Sequence, residues 1–338
     1  MKAQLLQSYG ETPDFRLADV EAPVAGPGSV LVRVAATSVN PIDIKIRTMR
    51  PPFAPALPAI LGMDVAGVIE AVGEGVGAFK PGDEVFGCAG GLGDMPVALA
   101  QFMSADARLL ALKPVNLSME EAAALPLVSI TAWEALFDRA KIRAGQFVLV
   151  HAGTGGVGHV AIQLAKAAGA RVATTVSSEE KAALARGLGA DEVVFYRDEE
   201  PAGYVARLTD GRGFDVVFDT VGGPNLDASF LAAARHGRLH QHPLHPRPLD
   251  HARQGPDPLG GLHAAAPHHG ARPTPARGDH ARGRAAGRGG QAPSPPGSGP
   301  PLDGRRPGSR LRVFRAGRGQ GRPPGGVNVG IGGYHLFS

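Results

Sequence analysis

One run constrains the fold of this chain more than any other: Val148-Leu149-Val150-His151-Ala152-Gly153-Thr154-Gly155-Gly156-Val157-Gly158. Its first residues read as a buried strand, and the segment that follows, His159 to Lys166, carries the apolar period of a helix. Between them Gly153, Gly155 and Gly158 stand at G-x-G-x-x-G spacing. In that setting Gly153 allows the tight turn, Gly155 lets the backbone approach a pyrophosphate, and Gly158 lets the helix pack closely on the sheet. Unpaired amides at the helix start favour a phosphate's negative charge. A dinucleotide is therefore expected along Gly153, Thr154, Gly155, Gly156, Val157 and Gly158.

The alternation continues on both sides of that run. Helices are expected at Met119–Leu127 and Thr131–Arg139, then a strand at Phe147–His151 and a helix at Gly156–Ala168. Strands at Arg171–Val176, Glu192–Tyr196 and Asp215–Asp219 alternate with helices at Glu179–Leu188, Glu200–Leu208 and Leu226–Arg235. Short apolar strands separated by amphipathic helices indicate a parallel sheet covered on both faces. Before about residue 120 the pattern differs. Ser29–Ala35 and Val65–Val72 alternate as half-buried strands, and Val76–Val85 holds a Pro-Gly-Asp turn before another. With no convincing helix among them, these strands predict a compact β-rich domain.

The second strand of the parallel unit bears on the cofactor. An enzyme that selects NAD usually ends this strand with Asp or Glu, which accepts hydrogen bonds from the adenosine ribose. Here the end reads Thr175-Val176-Ser177-Ser178, and the first acid, Glu179, already opens the next helix. Ser177 can donate hydrogen bonds, and Lys181, one turn on, can meet a dianionic 2′-phosphate. Tyr196, at the end of the following strand, can stack on adenine or bond that phosphate. The cofactor expected is NADPH. A solvated capping segment with an ordinary surface lysine is the bland alternative.

After Gly237-Arg238-Leu239, which begins another strand, the composition changes. Of the 30 prolines, 16 lie beyond residue 239, as do nine of the 12 histidines. Residues 1–239 carry 21 Lys plus Arg against 27 Asp plus Glu, whereas residues 240–338 carry 14 Arg against four Asp. The formal charge of +4 is thus made by the tail. Frequent proline removes ladder donors, and few large apolar side chains remain to offset ordering entropy. That strand is expected to stop unfinished, with the tail truncated or disordered and the sheet edge open. Two origins stay open: a reading-frame shift in a G+C-rich gene, or a basic Arg-Gly extension that binds nucleic acid. The domains expected are 1–120, β-rich; 121–239, nucleotide-binding and incomplete; and 240–338, low-complexity.

Several segments together resemble the quinone oxidoreductase (zeta-crystallin-like) branch of the medium-chain dehydrogenase/reductase family. They are Ser38-Val39-Asn40-Pro41-Ile42-Asp43, Gly62-Met63-Asp64-Val65-Ala66-Gly67, Thr131-Ala132-Trp133, the run Gly145 to Lys166, Gly189-Ala190-Asp191, and Asp215 to Gly223. They keep family order over roughly residues 1–239. Thr154, where the family usually has a smaller residue, and Lys45, where some relatives have tyrosine, depart from it. The resemblance implies a GroES-like catalytic domain joined to a Rossmann domain, and a homodimer for an intact version. It also implies hydride transfer to a quinone or enone. Asn40 is then the expected donor or orienter beside the nicotinamide, Asp43 organises that loop, and Thr131 contacts the cofactor. An Asn-Pro turn capped by Asp43 is the plainer alternative for the first two. Arg47 and Arg50 can serve phosphate, substrate or the surface alike.

Zinc-dependent members of that family have cysteine near Ser38 and Gly-His-Glu at Gly62-Met63-Asp64. A catalytic zinc needs three well-placed ligands. Asp64 with His151 or His159 is the only alternative set outside the tail, so no catalytic metal is expected; His263, His268 and His269 form a solvated tract. Cys88 is the single cysteine, which excludes an internal disulfide. No run of 18 apolar residues suggests a membrane span and no secretory leader is evident, so a cytoplasmic enzyme is expected.

Overall fold

The computed structural model describes residues 1–92, 95, 97–241 and 328–331. The expectations placed on the rest of the tail, including His263, His268 and His269, lie outside the described residues. The first part of the chain forms strands β1 (Lys2–Leu6), β2 (Phe15–Asp19) and β3 (Ser29–Val39), then helix α1 (Pro41–Met49). Strands β4 (Ala59–Ile60), β5 (Asp64–Val72), β6 (Glu84–Cys88), β7 (Phe102–Asp106) and β8 (Ala111–Leu112) follow. β1 lies between β2 and β4, and β3 pairs antiparallel with both β5 and β7.

Along β3, Val30, Val32 and Val34 alternate inward onto Val65 and Ile69 of β5, Val85 of β6 and Met103 of β7. Period-two patterning thus produces a one-faced core, as β-branched alternation requires. The far end of β3 departs from it: Ala36, Thr37 and Ser38 are all buried. Helix α2 (Met119–Ala123) covers that end, packing Ala122 and Ala123 on Ala36 and Ala66. Close approach is also required at Gly67, where a Cβ would lie 2.3 Å from the Arg33 carbonyl oxygen.

Helix α1 corrects the expectation of an early region without helix. Asn40 is its N-cap in extended conformation, Pro41 takes the first helical position, and Asp43 returns its carboxylate to the Asn40 amide at 2.7 Å. Proline suits that position because its missing N–H has no intrahelical partner there. What reads locally as an Asn-Pro turn is a helix start. Further on, the single helix expected over Met119–Leu127 is two. Pro126 breaks it, so α2 stops at Ala123 and α3 runs Pro126–Trp133. A π-helical turn, Glu134–Arg139, continues α3, with the Ala140 amide bonded to the Ala135 carbonyl at 2.9 Å.

The nucleotide-binding part follows expectation closely: β9 (Phe147–Val150), α4 (Gly156–Ala167), β10 (Arg171–Val176), α5 (Glu179–Gly187) and β11 (Glu192–Phe195). Then come α6 (Pro201–Thr209), β12 (Phe214–Asp219), α7 (Asn225–Ala232) and β13 (Ala233–Gln241). The strands are parallel in the order β11-β10-β9-β12-β13. Val148 and Val150 face the helix layer of Ile162 and Ala165, while Leu149 faces Tyr204 and Val205 on the opposite side. Burial on both faces is what continuous apolar strands demand.

A further expectation is corrected. The strand begun at Gly237 does not stop unfinished: β13 pairs with β12 as far as Asp219↔Gln241. Hydrogen bonding to a neighbouring strand carries His240 and Gln241 along, and Arg238 donates to the Ala140 carbonyl. Strand β14 (Asn328–Ile331) pairs parallel with Ala36–Val39, the stretch of β3 that leads to Asn40.

Candidate functional site

The crossovers of the parallel sheet reverse between β9 and β12, so a crevice opens at the carboxyl ends of those strands. The glycine turn sits there. Ala152, and not a glycine, takes the left-handed conformation, with φ 53°. Gly153 is required for another reason than the turn: a Cβ on it would lie 1.9 Å from the Thr174 Oγ1 of β10. At Gly158 a Cβ would lie 2.2 Å from the Ala152 carbonyl oxygen. Gly155 is the helix N-cap and has no side chain to satisfy the first amides of α4. Thr154 and Val157 are half-buried and Gly156 is exposed. The result is a helix N-terminus with bare amides, a shape and polarity suited to a pyrophosphate.

The neighbouring strand ends complete this cradle. β10 and β11 stop in register, Val176 opposite Phe195, so Ser177 and Tyr196 emerge side by side. Lys181 Nζ lies 3.1 Å from Ser177 Oγ, and Ser178 caps α5 through the Lys181 amide. Tyr196 is 53% exposed, with the Arg197 guanidinium 5.7 Å from its ring centroid. Arg197 is a cation that the sequence reading did not single out. On the other side, Asp219 ends β12 buried. It accepts from the amides of Val221 and Gly222 at 2.8 Å and from Ser229 Oγ at 3.0 Å, holding the loop after β12. Thr220 Oγ1 ties that loop to the His151 carbonyl at 2.7 Å.

A second feature is a buried polar cluster centred on Asp64. Its Oδ2 accepts from Ser38 Oγ at 2.6 Å and Asn40 Nδ2 at 2.8 Å; its Oδ1 accepts from the Leu127 amide at 3.0 Å. Asn40 Nδ2 also reaches Ser38 Oγ at 3.0 Å. Both hydrogens of that amide are thus committed within the cluster, so of the two expected roles, donor or orienter, this geometry favours the second. Thr131 is one turn beyond Leu127 on α3; it is half-buried and donates to the Leu127 carbonyl at 2.9 Å. Asp43 accepts the Asn40 amide through Oδ2, while Oδ1 is buried without a partner. Burial chiefly, with some repulsion from Asp64, pushes the Asp43 carboxyl up to about 7. In the sequence Asp64 stands out as part of a family segment and as a candidate metal ligand, not as the centre of a cluster. An acid flanked by Met63, Val65 and Ala66 was the available signal of something buried and paired.

Zinc does not fit these residues. Ser38, Asn40 and Asp64 satisfy one another, and Met63 occupies the place of the ligand histidine. His151 is buried against Thr175 Oγ1 at 3.4 Å, and burial holds its imidazole down at about 4. His159 lies on α4 with its Nδ1 3.1 Å from the Gly155 carbonyl. Among the described residues no group of three or more His, Cys, Asp or Glu is arranged to hold a metal ion.

Comparison with known proteins agrees with this geometry. The alcohol dehydrogenase GroES-like domain family matches residues 26–114, and the zinc-binding dehydrogenase family matches 156–249. The quinone oxidoreductase of Pseudomonas aeruginosa is 40% identical over 69% of this chain and 70% of its own length. The chain belongs to the medium-chain dehydrogenase/reductase family. Within it the likeness is to the quinone oxidoreductase, zeta-crystallin-like branch. A medium-chain relative of known structure, an alcohol dehydrogenase superfamily protein from Novosphingobium aromaticivorans, superposes with TM-score 0.68 at 48% identity, over 71% of this chain and 72% of that one. The Escherichia coli quinone oxidoreductase, solved in complex with NADPH, superposes with TM-score 0.62 at 31% identity, over 71% and 72%. The same 69% of the chain is 40% identical to part of the phthioceranic/hydroxyphthioceranic acid synthase of Mycobacterium tuberculosis, and spans 11% of that protein's length.

Proposed function

We propose that this chain is an NADPH-dependent, zinc-independent reductase that passes a hydride to a quinone or an α,β-unsaturated carbonyl. The observation that carries the reading is the glycine cradle at the sheet's switch point, set beside a polar cluster whose donors are already satisfied without a metal. Gly153, Thr154, Gly155, Gly156, Val157 and Gly158 hold the pyrophosphate through backbone amides. Ser177, Lys181 and Tyr196 hold the adenosine 2′-phosphate and adenine, where an NAD enzyme would place an acid. The quinone oxidoreductase solved with NADPH supports that choice.

Bound NADPH supplies a hydride from its nicotinamide ring. The protein's share is alignment and polar stabilisation, because a quinone or enone is electron-poor before it binds. Without a Lewis acid, oxidation of a simple alcohol lacks its usual alkoxide stabilisation. Asn40 and Thr131 orient the ring and acceptor, Asp43 holds the Asn40 turn, and water returns the proton that completes the reduction. His151 is held neutral at ordinary pH and is not that acid. No helix among the described residues is long and apolar enough to cross a membrane. A cytoplasmic homodimer is the setting we assign, with no nucleic-acid role; the pairing edge of β13 away from β12 has no partner among the described residues.

The test uses the full chain. Addition of NADPH should quench Trp133, the one tryptophan, and a simple benzoquinone should then discharge the reduced-nicotinamide absorbance, with EDTA without effect. NADH should bind at least about tenfold more weakly. Equal use of NADH, or loss of turnover on chelation, would overturn the cofactor or the zinc-free reading respectively.

A further inference from the structure

The Asp64 carboxylate joins more of the site than its place in the sequence suggests. It opens β5 and is wholly buried, yet it carries no ion pair among the described residues. The groups around it are donors from separate segments: Ser38 and Asn40 at the end of β3, and the Leu127 amide at the start of α3. Cys88 is its cross-strand partner on β6. The Asp64 carbonyl also accepts from Thr37 Oγ1 at 2.6 Å. A carboxyl group that accepts from three donors and donates to none is best served by the ionised form. Burial pushes this carboxyl up; the donors pull the other way.

The two residues assigned to the nicotinamide face reach the cluster from opposite directions. Asn40 is held through its side chain, and Thr131 rides on the helix whose first turn is held through Leu127. One carboxylate therefore sets the distance between the β-rich part and α3 where hydride transfer is assigned. We propose that Asp64 is the positioning residue of this site: as a carboxylate it clamps the Asn40 turn to the start of α3 and so aligns the reacting groups. The proposal rests on the reductase reading above, and it assigns Asp64 no contact with substrate.

Cys88 provides a reporter independent of turnover, because it is the single cysteine of the chain. Its thiol faces Asp64 and, further off, Asp43; burial first and these two carboxylates second push it up to about 12. In full-length D64N, alkylation of Cys88 by iodoacetamide at about pH 9 should accelerate at least tenfold, since the carboxylate that opposes thiolate formation is gone. With NADPH and benzoquinone, kcat should fall at least about tenfold while the KM for NADPH stays within about twofold, because the glycine cradle is untouched. S38A, which removes one donor and leaves the carboxylate, should lower kcat by a smaller factor and leave Cys88 reactivity as in the parent.

A folded D64N with parental alkylation rate and parental kcat overturns the proposal. Should D64N fail to fold, S38A decides: reduced kcat at constant NADPH KM supports it, and unchanged kcat overturns it. A parent chain that binds no NADPH removes the reductase reading, and the alkylation comparison then still decides whether Asp64 is the charged hub.

Discussion

At the scale of residues, the site is governed by how little room and how little water its groups have. Gly158 shows the first: an added methyl would overlap the Ala152 carbonyl oxygen at 2.2 Å, and neither backbone segment can yield without moving the turn or α4. G158A is expected to destabilise the chain by about 2 kcal/mol or more, in the range of overpacked cores, and to lose NADPH binding. Urea denaturation with a parallel NADPH titration measures both. Asp43 shows the second. Its carboxyl is raised from the ordinary range to about 7 by burial. The folded state therefore holds a proton that the unfolded chain releases, so its contribution is full below about pH 4 and is lost as pH rises through about 7. Relative to the parent, D43N should gain stability steadily between those values, by up to about 4 kcal/mol, judged from paired denaturation curves. A flat difference would mean that Asp43 stays ionised in the fold.

At the scale of elements, α4 is built to leave its first amides unsatisfied. Gly155 sits at φ −77° and ψ 175°, a conformation open to any residue, so its lack of a side chain is not demanded by the turn. Aspartate there would cap the helix and place a negative charge where phosphate belongs. G155D should change stability by no more than about 1 kcal/mol while weakening NADPH at least about a hundredfold, by calorimetry. Parental affinity in G155D would remove the pyrophosphate from this helix. Some element boundaries were legible where small or polar residues interrupt an apolar run. Strand β10 and the start of α4 lie where the sequence reading placed them. The early helix α1 was missed because Asn40-Pro41-Ile42-Asp43 satisfies the rules for a turn and for a helix start alike. The long helix expected across Pro126 shows the converse error: apolar period was allowed to outweigh a missing amide donor.

At the scale of the whole molecule, strand pairings join segments far apart in the sequence that no local pattern contains. β14 takes up the length of β3 edge beside Asn40 that β7 leaves open, since β7 pairs only with Ser29–Arg33. Ending the chain at residue 327 should expose that edge, lower Tm by several degrees for a protein of this size, and raise the KM for NADPH or acceptor. A scanning-calorimetry trace identical to the parent's would show that the pairing contributes nothing.

What the chain's own order of residues determined is the nucleotide cradle, because strand, glycine turn and helix are contiguous and each carries a local physical preference. The same holds for the cofactor choice, read from Ser177, Lys181 and the absent acid, all within one turn of each other. Only the tertiary structure decided the role of Asp64, the committed donors of Asn40, and the packing reason for Gly153. Each of these depends on a partner distant along the chain, as Leu127 is from Asp64 across 63 positions, Asp64 from Asn40 across 24, and Thr174 from Gly153. Hydrogen bonds and close contacts of that kind come into being when segments are brought together, and a pattern of neighbours along the backbone carries no trace of them.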